Sequence, residues 1–288
     1  PRRPPLPSRF PALTRPMSNH SWHSLLPASL RSGVLGPAAV LAGGNAVGMG
    51  VGLAAAPMLC RLYTPDEFGN FAVFSVTAAM LGAVCTLRFE QAIPLPRSRR
   101  MAAALTSVAA LQVVFYSVGF TILAFALGWT DARDSFVSLV PWIPAALLCF
   151  VAYQIVSAWA VRDELFATLA QMRVAYALIS LAVQFIWPYI GIKGAAGLIA
   201  GQVIGFGVAA LWGSLAARAL LACHTVVDGR YLRLAAQRYA NYPRFDMPSA
   251  LLNQASLHGP SLLSAVCFGA TVAGWYALAH RLLAAPLT

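Results

Sequence analysis

GAAGLIAGQVIGFGVAALWGSLAA, residues 194–217, is a run of 24 residues that contains no charged side chain. A helix needs about 20 apolar residues to cross the hydrocarbon core of a membrane, so this run is long enough for one crossing. In the whole chain 59% of the residues are hydrophobic and 10% are charged, whereas a soluble domain carries about 25% charged residues. Because so few charges cannot cover a globular surface, the sequence predicts an integral membrane protein.

Similar charge-free runs recur along the chain. They lie at 32–60, 68–87, 101–130, 135–161, 174–192, 194–217 and 247–280. The last run is too long for one crossing, and Gly269 near its middle divides it into a span at about 247–268 and another from about 272, which gives eight spans. The strands of a membrane barrel would alternate apolar and polar residues, and buried helices of a soluble protein would show polar faces. Neither pattern is present, so the sequence predicts an all-α, polytopic membrane helix bundle.

The 20 Lys and Arg residues are distributed unevenly around these spans. Sixteen of them fall in the amino-terminal tail and in the loops after spans two, four and six, whereas Arg61, Arg133 and Lys193 fall on the opposite side. Loops with an excess of basic residues stay in the cytoplasm. The distribution therefore predicts a multi-pass protein with a cytoplasmic amino terminus, and it accounts for the net charge of +11 without a nucleic-acid partner.

The spans divide the chain into four regions. Residues 1–31 are rich in Pro, Arg and Ser, and we predict a disordered cytoplasmic tail in which Met17 is a candidate for the true start. Residues 32–217 form a first six-span lobe, residues 218–246 a cytoplasmic loop, and residues 247–288 the first two spans of a second lobe.

A weak internal repeat accompanies this division into two lobes. A shift of 205 residues aligns 63–74 with 268–279, and it matches Gly69 with Gly274. Each segment is an aromatic-rich helix start that follows a tight outer turn. Transporters are often built from two repeated halves, so the repeat favours a transporter.

Four segments carry a family likeness. They are RLYTPDEFG at 61–69, LRFEQAIPLP at 87–96, PSALLN at 248–253 and AGWYALAHR at 273–281. In order and spacing they resemble Wzx-type flippases of O-antigen and capsular polysaccharide, from the superfamily that also contains MATE drug exporters and peptidoglycan lipid flippases. The likeness covers residues from about 30 to 288.

The resemblance implies a transporter and not an enzyme. Its members export polysaccharide repeat units by flipping undecaprenyl-pyrophosphate-linked oligosaccharide from the inner to the outer leaflet of the bacterial cytoplasmic (inner) membrane. The implied partners are membrane lipids, the lipid-linked glycan and the polysaccharide polymerase machinery, with no nucleic acid. Members have two six-helix lobes around a central cavity. Because this chain ends within span eight, we expect it to be a fragment.

A lipid pyrophosphate that crosses the low-dielectric membrane core needs a cation to face it, because a buried unpaired charge is very costly. Arginine suits this task, since its planar fork holds phosphate oxygens and stays protonated. Arg281, about ten residues into span eight, is the first candidate, and a structural ion pair is the alternative for it. The other candidates to line a substrate cavity are charged or amide side chains near or within spans: Arg88, Glu90, Arg61, Asn45 and Asn253.

Two histidines in the last two spans, His258 and His280, are candidates for proton sensing, with a packing hydrogen bond as the alternative. The five cysteines are odd in number and show no CxxC or Cys/His spacing, so we expect no metal site and no disulfide. The sequence contains no set of residues that indicates a catalytic site or a cofactor.

Two other functions are alternatives to a polysaccharide flippase. The first is another transporter of the same superfamily, namely a drug exporter or a peptidoglycan lipid flippase. The second is a membrane-embedded polysaccharide enzyme: a polymerase, a ligase or an acyltransferase. Such an enzyme needs a catalytic carboxylate or histidine in a cleft, or a large outer loop for its acceptor sugar. The predicted outer loops are short, which favours transport.

Overall fold

The structure is a computed structural model that describes residues 28–126, 140–190, 194–217 and 229–284, with the backbone alone for 28–35, 37, 38 and 281–284. Within these ranges the chain forms nine α-helices and no strand. In chain order they are α1 (Ala28–Leu62), α2 (Pro65–Cys85), α3 (Arg99–Ala126), α4 (Trp142–Arg162), α5 (Phe166–Ile186), α6 (Ala196–Ala217), α7 (Gly229–Arg238), α8 (Met247–Phe268) and α9 (Ala270–Ala284). The prediction of an all-α protein is confirmed.

Three short turns of other helical types connect these helices. They are 3-10 turns at Phe89–Ala92 and Trp187–Ile190, and a π-helical turn at Tyr242–Asp246 that leads directly into α8. Helix α1 begins inside the segment predicted to be disordered, and residues 1–27 lie outside the described residues. Residues 127–139 and 191–193, which include two of the short predicted outer loops, also lie outside them.

Six helices are long and apolar enough to cross a membrane, and they coincide with the first six predicted spans. They are Ala39–Leu62, Pro65–Cys85, Arg99–Ala126, Trp142–Arg162, Phe166–Ile190 and Ala196–Ala216. Helices α8 and α9 occupy the positions of spans seven and eight, but neither is among these six. Helix α8 carries Asn253, Gln254 and His258, which lower its apolar character, and α9 has 15 described residues. Spans seven and eight therefore stay a prediction.

Helix α5 begins earlier than the sequence predicted. The charge-free run starts at residue 174, yet α5 begins at Phe166 and passes through Arg173. The side chain of Arg173 is accommodated because it hydrogen-bonds to the Tyr153 side chain on α4. An arginine with a polar partner on a neighbouring helix therefore does not end the helix.

Helix α2 begins with a capping box at the tight turn that follows α1. The Glu67 N–H donates to Thr64 Oγ1 at 3.4 Å, and the Thr64 N–H donates to Glu67 Oε2 at 2.8 Å. These two bonds satisfy backbone donors that the first turn of a helix leaves unpaired. Asp66 and Glu67 also place negative charge at the positive end of the helix dipole. The start of α2 is thus fixed by its local sequence.

The helices pack in a connected bundle: α1 lies against α5, α5 against α6, α6 against α4, and α9 against α2 and α8. Phe74, Leu147 and Ile199 are almost fully buried in its largest apolar core. Helix α6 approaches α5 closely at Gly201, where an added Cβ atom would lie 2.7 Å from the carbonyl oxygen of Ser180. Gly197, Gly201 and Gly205 of α6 are spaced four residues apart, and small residues at this spacing let helix backbones approach closely.

Large apolar side chains also cover the outside of the bundle. Phe115 and Phe125 on α3 are 73% and 77% exposed, and Leu215 on α6 is 80% exposed. Soluble monomers rarely expose extended apolar surface, whereas lipid tails are as apolar as these side chains. The exterior therefore agrees with a membrane-embedded protein.

Candidate functional site

The first turns of α2 and α9 touch backbone to backbone. An added Cβ atom at Gly69 would lie 1.9 Å from the carbonyl oxygen of Ala270, and one at Gly274 would lie 1.9 Å from the carbonyl oxygen of Pro65. No side chain fits at either position, so each glycine admits the backbone of the other helix. We call residues 65–69 and 270–274 together the paired-glycine contact.

The paired-glycine contact is reciprocal. The 205-residue shift of the sequence repeat relates Pro65 to Ala270 and Gly69 to Gly274, so each contact is the counterpart of the other under that shift. The Thr271 hydroxyl also donates a hydrogen bond to Asp66 Oδ1, and these two residues are separated by 205 positions as well. Reciprocal contacts of this kind are the signature of a two-fold axis. The two repeated helix starts therefore meet as symmetry equivalents.

A cavity of about 170 Å³ lies beside this contact, between α2, α8 and α9. Its lining is mainly apolar and aromatic, and its polar members are Ser75, His258, Ser261, Tyr276 and His280. The Tyr276 and His280 rings are stacked with their centroids 6.1 Å apart. On α2 the Ser75 hydroxyl donates to Gln202 Oε1 at 2.8 Å. We call this space the inter-repeat cavity, and it brings together the two histidines predicted to sense protons.

At the opposite end of α2 the chain forms a compact connection to α3, residues 86–98, which we call the α2–α3 hairpin. Leu87 and Arg88 both have left-handed backbone conformations, with φ of 49° and 62°, which is uncommon for residues other than glycine. The Arg88 Nε–H donates to Asp246 Oδ2 at 3.0 Å. Asp246 ends the π-helical turn before α8, so this ion pair attaches the hairpin to the start of α8.

Glu90 lies inside the α2–α3 hairpin and not in the inter-repeat cavity. Glu90 is only 4% exposed, and its Oε2 atom has no hydrogen-bond partner among the described residues. Burial raises the pKa of the Glu90 carboxyl, and the hydrogen bond to the Thr86 side chain and the charge of Arg88 offset this only in part. The sequence indicated a charged residue at a span end, but it did not indicate this burial.

The hairpin is also held by Arg162 at the end of α4. Its guanidinium donates to the carbonyl oxygen of Ile93 at 3.0 Å and to that of Pro96. It lies 5.7 Å from the centre of the Trp159 ring. In the sequence Arg162 is one of the sixteen basic residues predicted to lie on the cytoplasmic side, and no local motif distinguishes it.

The remaining predicted residues do not converge on the inter-repeat cavity. Arg61 is exposed at the end of α1, Asn45 is exposed on α1 with its amide 3.8 Å from Met49 Sδ, and Asn253 is exposed on α8. The backbone of Arg281 belongs to α9, while its side chain lies outside the described residues. Of the eight predicted site residues, the structure therefore places His258 and His280 in one cavity and Arg88 and Glu90 in one hairpin.

A scan of family models and searches of curated proteins and of solved structures find no match to this chain. Over the described residues there is no group of three or more His, Cys, Asp or Glu side chains that could hold a metal ion. The chemistry that the structure brings together is a histidine pair in a cavity, and a buried carboxyl beside an ion pair.

Proposed function

We propose that this chain is a transporter that flips undecaprenyl-pyrophosphate-linked oligosaccharide from the inner to the outer leaflet of the bacterial cytoplasmic membrane. The observation that carries the proposal is the paired-glycine contact, in which two repeated helix starts meet beside a cavity. Transporters built from repeats place their substrate site at the interface between the repeats. The inter-repeat cavity has this position.

The contact also suits a device that opens and closes. The two helix starts meet through glycines and one hydrogen bond, from Thr271 to Asp66, so they can separate as rigid bodies without disturbing interlocked bulky side chains. While the paired-glycine contact is closed, the inter-repeat cavity has no access past the first turns of α2 and α9. Separation of α2 and α9 opens the cavity at that end. Alternating access of this kind is largely a rigid-body movement of one repeat against the other.

The choice of substrate rests on the family likeness and on where its motifs fall. The segment at 61–69 meets the segment at 273–281 in the paired-glycine contact, through Gly69 and Gly274. The segment at 87–96 meets the residue just before Met247 and Pro248 through the Arg88–Asp246 ion pair. Two of the four segments that resemble polysaccharide flippases therefore meet at one end of α2. A third segment is attached to the start of α8 at the other end, and this arrangement supports reading them as one functional unit.

The uneven distribution of basic residues supports a cytoplasmic amino terminus. With that orientation the paired-glycine contact faces outward and the α2–α3 hairpin faces the cytoplasm. The lipid pyrophosphate then enters near the basic inner side. Arg281 on α9 is the residue we assign to the pyrophosphate within the membrane, because an arginine can hold phosphate oxygens in a fixed geometry.

Complementation tests the proposed function. A bacterial strain that lacks its own O-antigen flippase should regain surface polysaccharide when it produces the protein that contains this sequence. Arg281→Ala should abolish that polysaccharide while the protein stays in the membrane, and Arg281→Lys should restore part of it. Arg230→Ala on α7 serves as the control for loss of one basic residue and should retain function. Normal polysaccharide from Arg281→Ala would contradict the role of Arg281, and none from the membrane-inserted wild type would contradict the function.

A further inference from the structure

The hairpin between α2 and α3 contains a carboxyl group that the proposed transport reaction does not use. Glu90 is 4% exposed, and its Oε2 atom has no partner among the described residues. A buried ionised carboxylate with an unpaired oxygen is unfavourable, and such a group takes up a proton instead. The geometry therefore favours the neutral acid in the packed state.

Burial raises the pKa of Glu90 more than its two hydrogen bonds, from the Thr86 side chain and the Glu90 backbone N–H, lower it, and the Thr86 hydroxyl does not serve Glu90 alone. A threonine hydroxyl has one proton to donate, and in the structure the Thr86 hydroxyl donates it to the carbonyl oxygen of Gly82 at 3.0 Å. The same hydroxyl is within hydrogen-bonding reach of the Glu90 carboxyl. A protonated Glu90 can donate to Thr86, and the chain of bonds then continues to Gly82 with every donor used. An ionised Glu90 competes with Gly82 for the same proton.

The elements packed against Glu90 supply few compensating charges. Its own hairpin supplies Arg88, and the π-helical turn supplies Asp246, which repels a Glu90 carboxylate. From α4, Arg162 is directed to backbone carbonyl oxygens of the hairpin. From α3, Arg99 pairs with Asp163 at 3.4 Å on the surface. One arginine therefore faces two carboxyl groups, and charges balance only while one of the two is protonated.

We propose that Glu90 is a proton-binding site that controls how firmly the α2–α3 hairpin is attached to the start of α8. With the proton bound, Arg88 and Asp246 form a neutral pair that attaches the two segments. Release of the proton to bulk water leaves two carboxylates beside one arginine, and the buried carboxylate draws in water. The hairpin and the π-helical turn then separate more readily. In the proposed transporter this couples proton release to movement of α8, and only that last step rests on the proposed function.

The raised pKa of Glu90 gives the sign of the effect. At pH values between the ordinary pKa of glutamate and the raised pKa of Glu90, the folded chain holds a proton that the unfolded chain has lost. The attachment is therefore strongest on the acid side of this window, and it weakens as pH rises through the folded-state pKa of Glu90.

Two measurements on the full chain in lipid nanodiscs test this proposal without any transport substrate. Infrared difference spectra across a pH titration detect the carbonyl band of a protonated carboxyl. Hydrogen–deuterium exchange, corrected for the intrinsic pH dependence of the rate, measures the protection of backbone amides in segments 86–98 and 242–250. The variant is Glu90→Gln, which keeps the shape but carries no charge, and the matched control is Glu164→Gln at an exposed turn.

We expect the wild type and Glu164→Gln to show a carboxyl band that disappears as pH rises above the usual glutamate range, with amide protection falling by about tenfold or more. Glu90→Gln should lack the band and keep high protection throughout. A band that persists in Glu90→Gln, or protection that does not change with pH in the wild type, would overturn the proposal.

The neighbouring charges give a second test that does not depend on how well Glu90→Gln accumulates. Asp246→Asn removes a charge that raises the pKa of Glu90, so the band should titrate at lower pH. Arg88→Gln removes a charge that lowers this pKa, so the band should titrate at higher pH. A purely structural carboxyl at another position would not shift in opposite directions, and the absence of both shifts would equally overturn the proposal.

Discussion

Replacing Gly69 with alanine should force α2 and α9 apart. The added Cβ atom would lie 1.9 Å from the carbonyl oxygen of Ala270 and 2.7 Å from its carbonyl carbon. Both neighbours are backbone atoms that cannot rotate away, so the helices must separate by about an ångström. Overpacking of this kind costs about 1–3 kcal/mol, while alanine in place of a helical glycine gains about 1 kcal/mol. We expect a net loss of about 1 kcal/mol.

Gly274→Ala should have the same effect for the same reason, since its Cβ atom would meet the carbonyl oxygen of Pro65 at 1.9 Å. Either substitution opens the contact for the other. The double variant should therefore lose less stability than the two single variants added together, by about 0.5 kcal/mol or more. Gly119→Ala on α3 is the control, because no atom lies within 4 Å of its added carbon, and it should not destabilise the protein.

The assay is denaturant unfolding of the purified chain in mixed micelles, followed by tryptophan fluorescence. The free energies of unfolding of the wild type, the two single variants and the double variant form a double-mutant cycle. If the losses at Gly69 and Gly274 add independently, or if Gly69→Ala is as harmless as Gly119→Ala, the reciprocal backbone contact does not exist as described.

Four further substitutions have expected outcomes in the same unfolding assay. Arg162→Ala should lower the free energy of unfolding by about 1.5–3 kcal/mol because Arg162 bonds to two carbonyl oxygens of the hairpin. Arg99→Ala should lower it by less than about 1 kcal/mol because its ion pair is on the surface. Equal losses in the two variants would contradict this difference. Thr106→Val should cost about 1–3 kcal/mol by leaving the buried Trp159 indole N–H, now 2.9 Å from Thr106 Oγ1, without an acceptor, and an unchanged free energy would exclude that bond. Burial raises the pKa of Tyr63 from 10.0 to about 12. At pH values between these two, the folded chain holds a proton that the unfolded chain has lost, so the free energy of unfolding should fall as pH rises through this range. In Tyr63→Phe that fall should be smaller, and an identical pH profile would count against the burial of Tyr63.

The first six membrane helices could be predicted from the sequence because lipid imposes a simple rule on it. A segment that crosses the core must be long and apolar, and the charge-free runs satisfied this rule wherever α1 to α6 lie. Helix ends followed the rule less well. At α5 a half-buried polar contact between Arg173 and Tyr153 accompanies the extension of the helix beyond the apolar run. A pattern that counts charges along the chain does not record a contact between helices.

The candidate site was predicted only in part. The repeat that matched Gly69 with Gly274 indicated two equivalent helix starts, but it did not reveal that they touch. His258 and His280 were chosen singly, and they share a cavity because α8 and α9 pack against each other and both line it. Glu90 was predicted to line a cavity, and its burial depends on a left-handed backbone that no residue type in the hairpin signals. Local sequence thus indicated which residues carry chemistry, and tertiary packing decided which of them meet.

Reconstituted transport is the most direct test of the proposed function. The protein that contains this sequence would be incorporated into vesicles that carry a labelled undecaprenyl-pyrophosphate-linked oligosaccharide. A glycosidase that cannot cross the membrane would then report how fast the label of the inner leaflet becomes accessible outside. We expect the label to appear faster than in protein-free vesicles, and more slowly with Arg281→Ala than with the wild type or Arg230→Ala. A rate equal to that of protein-free vesicles would contradict the assignment of this chain as a flippase.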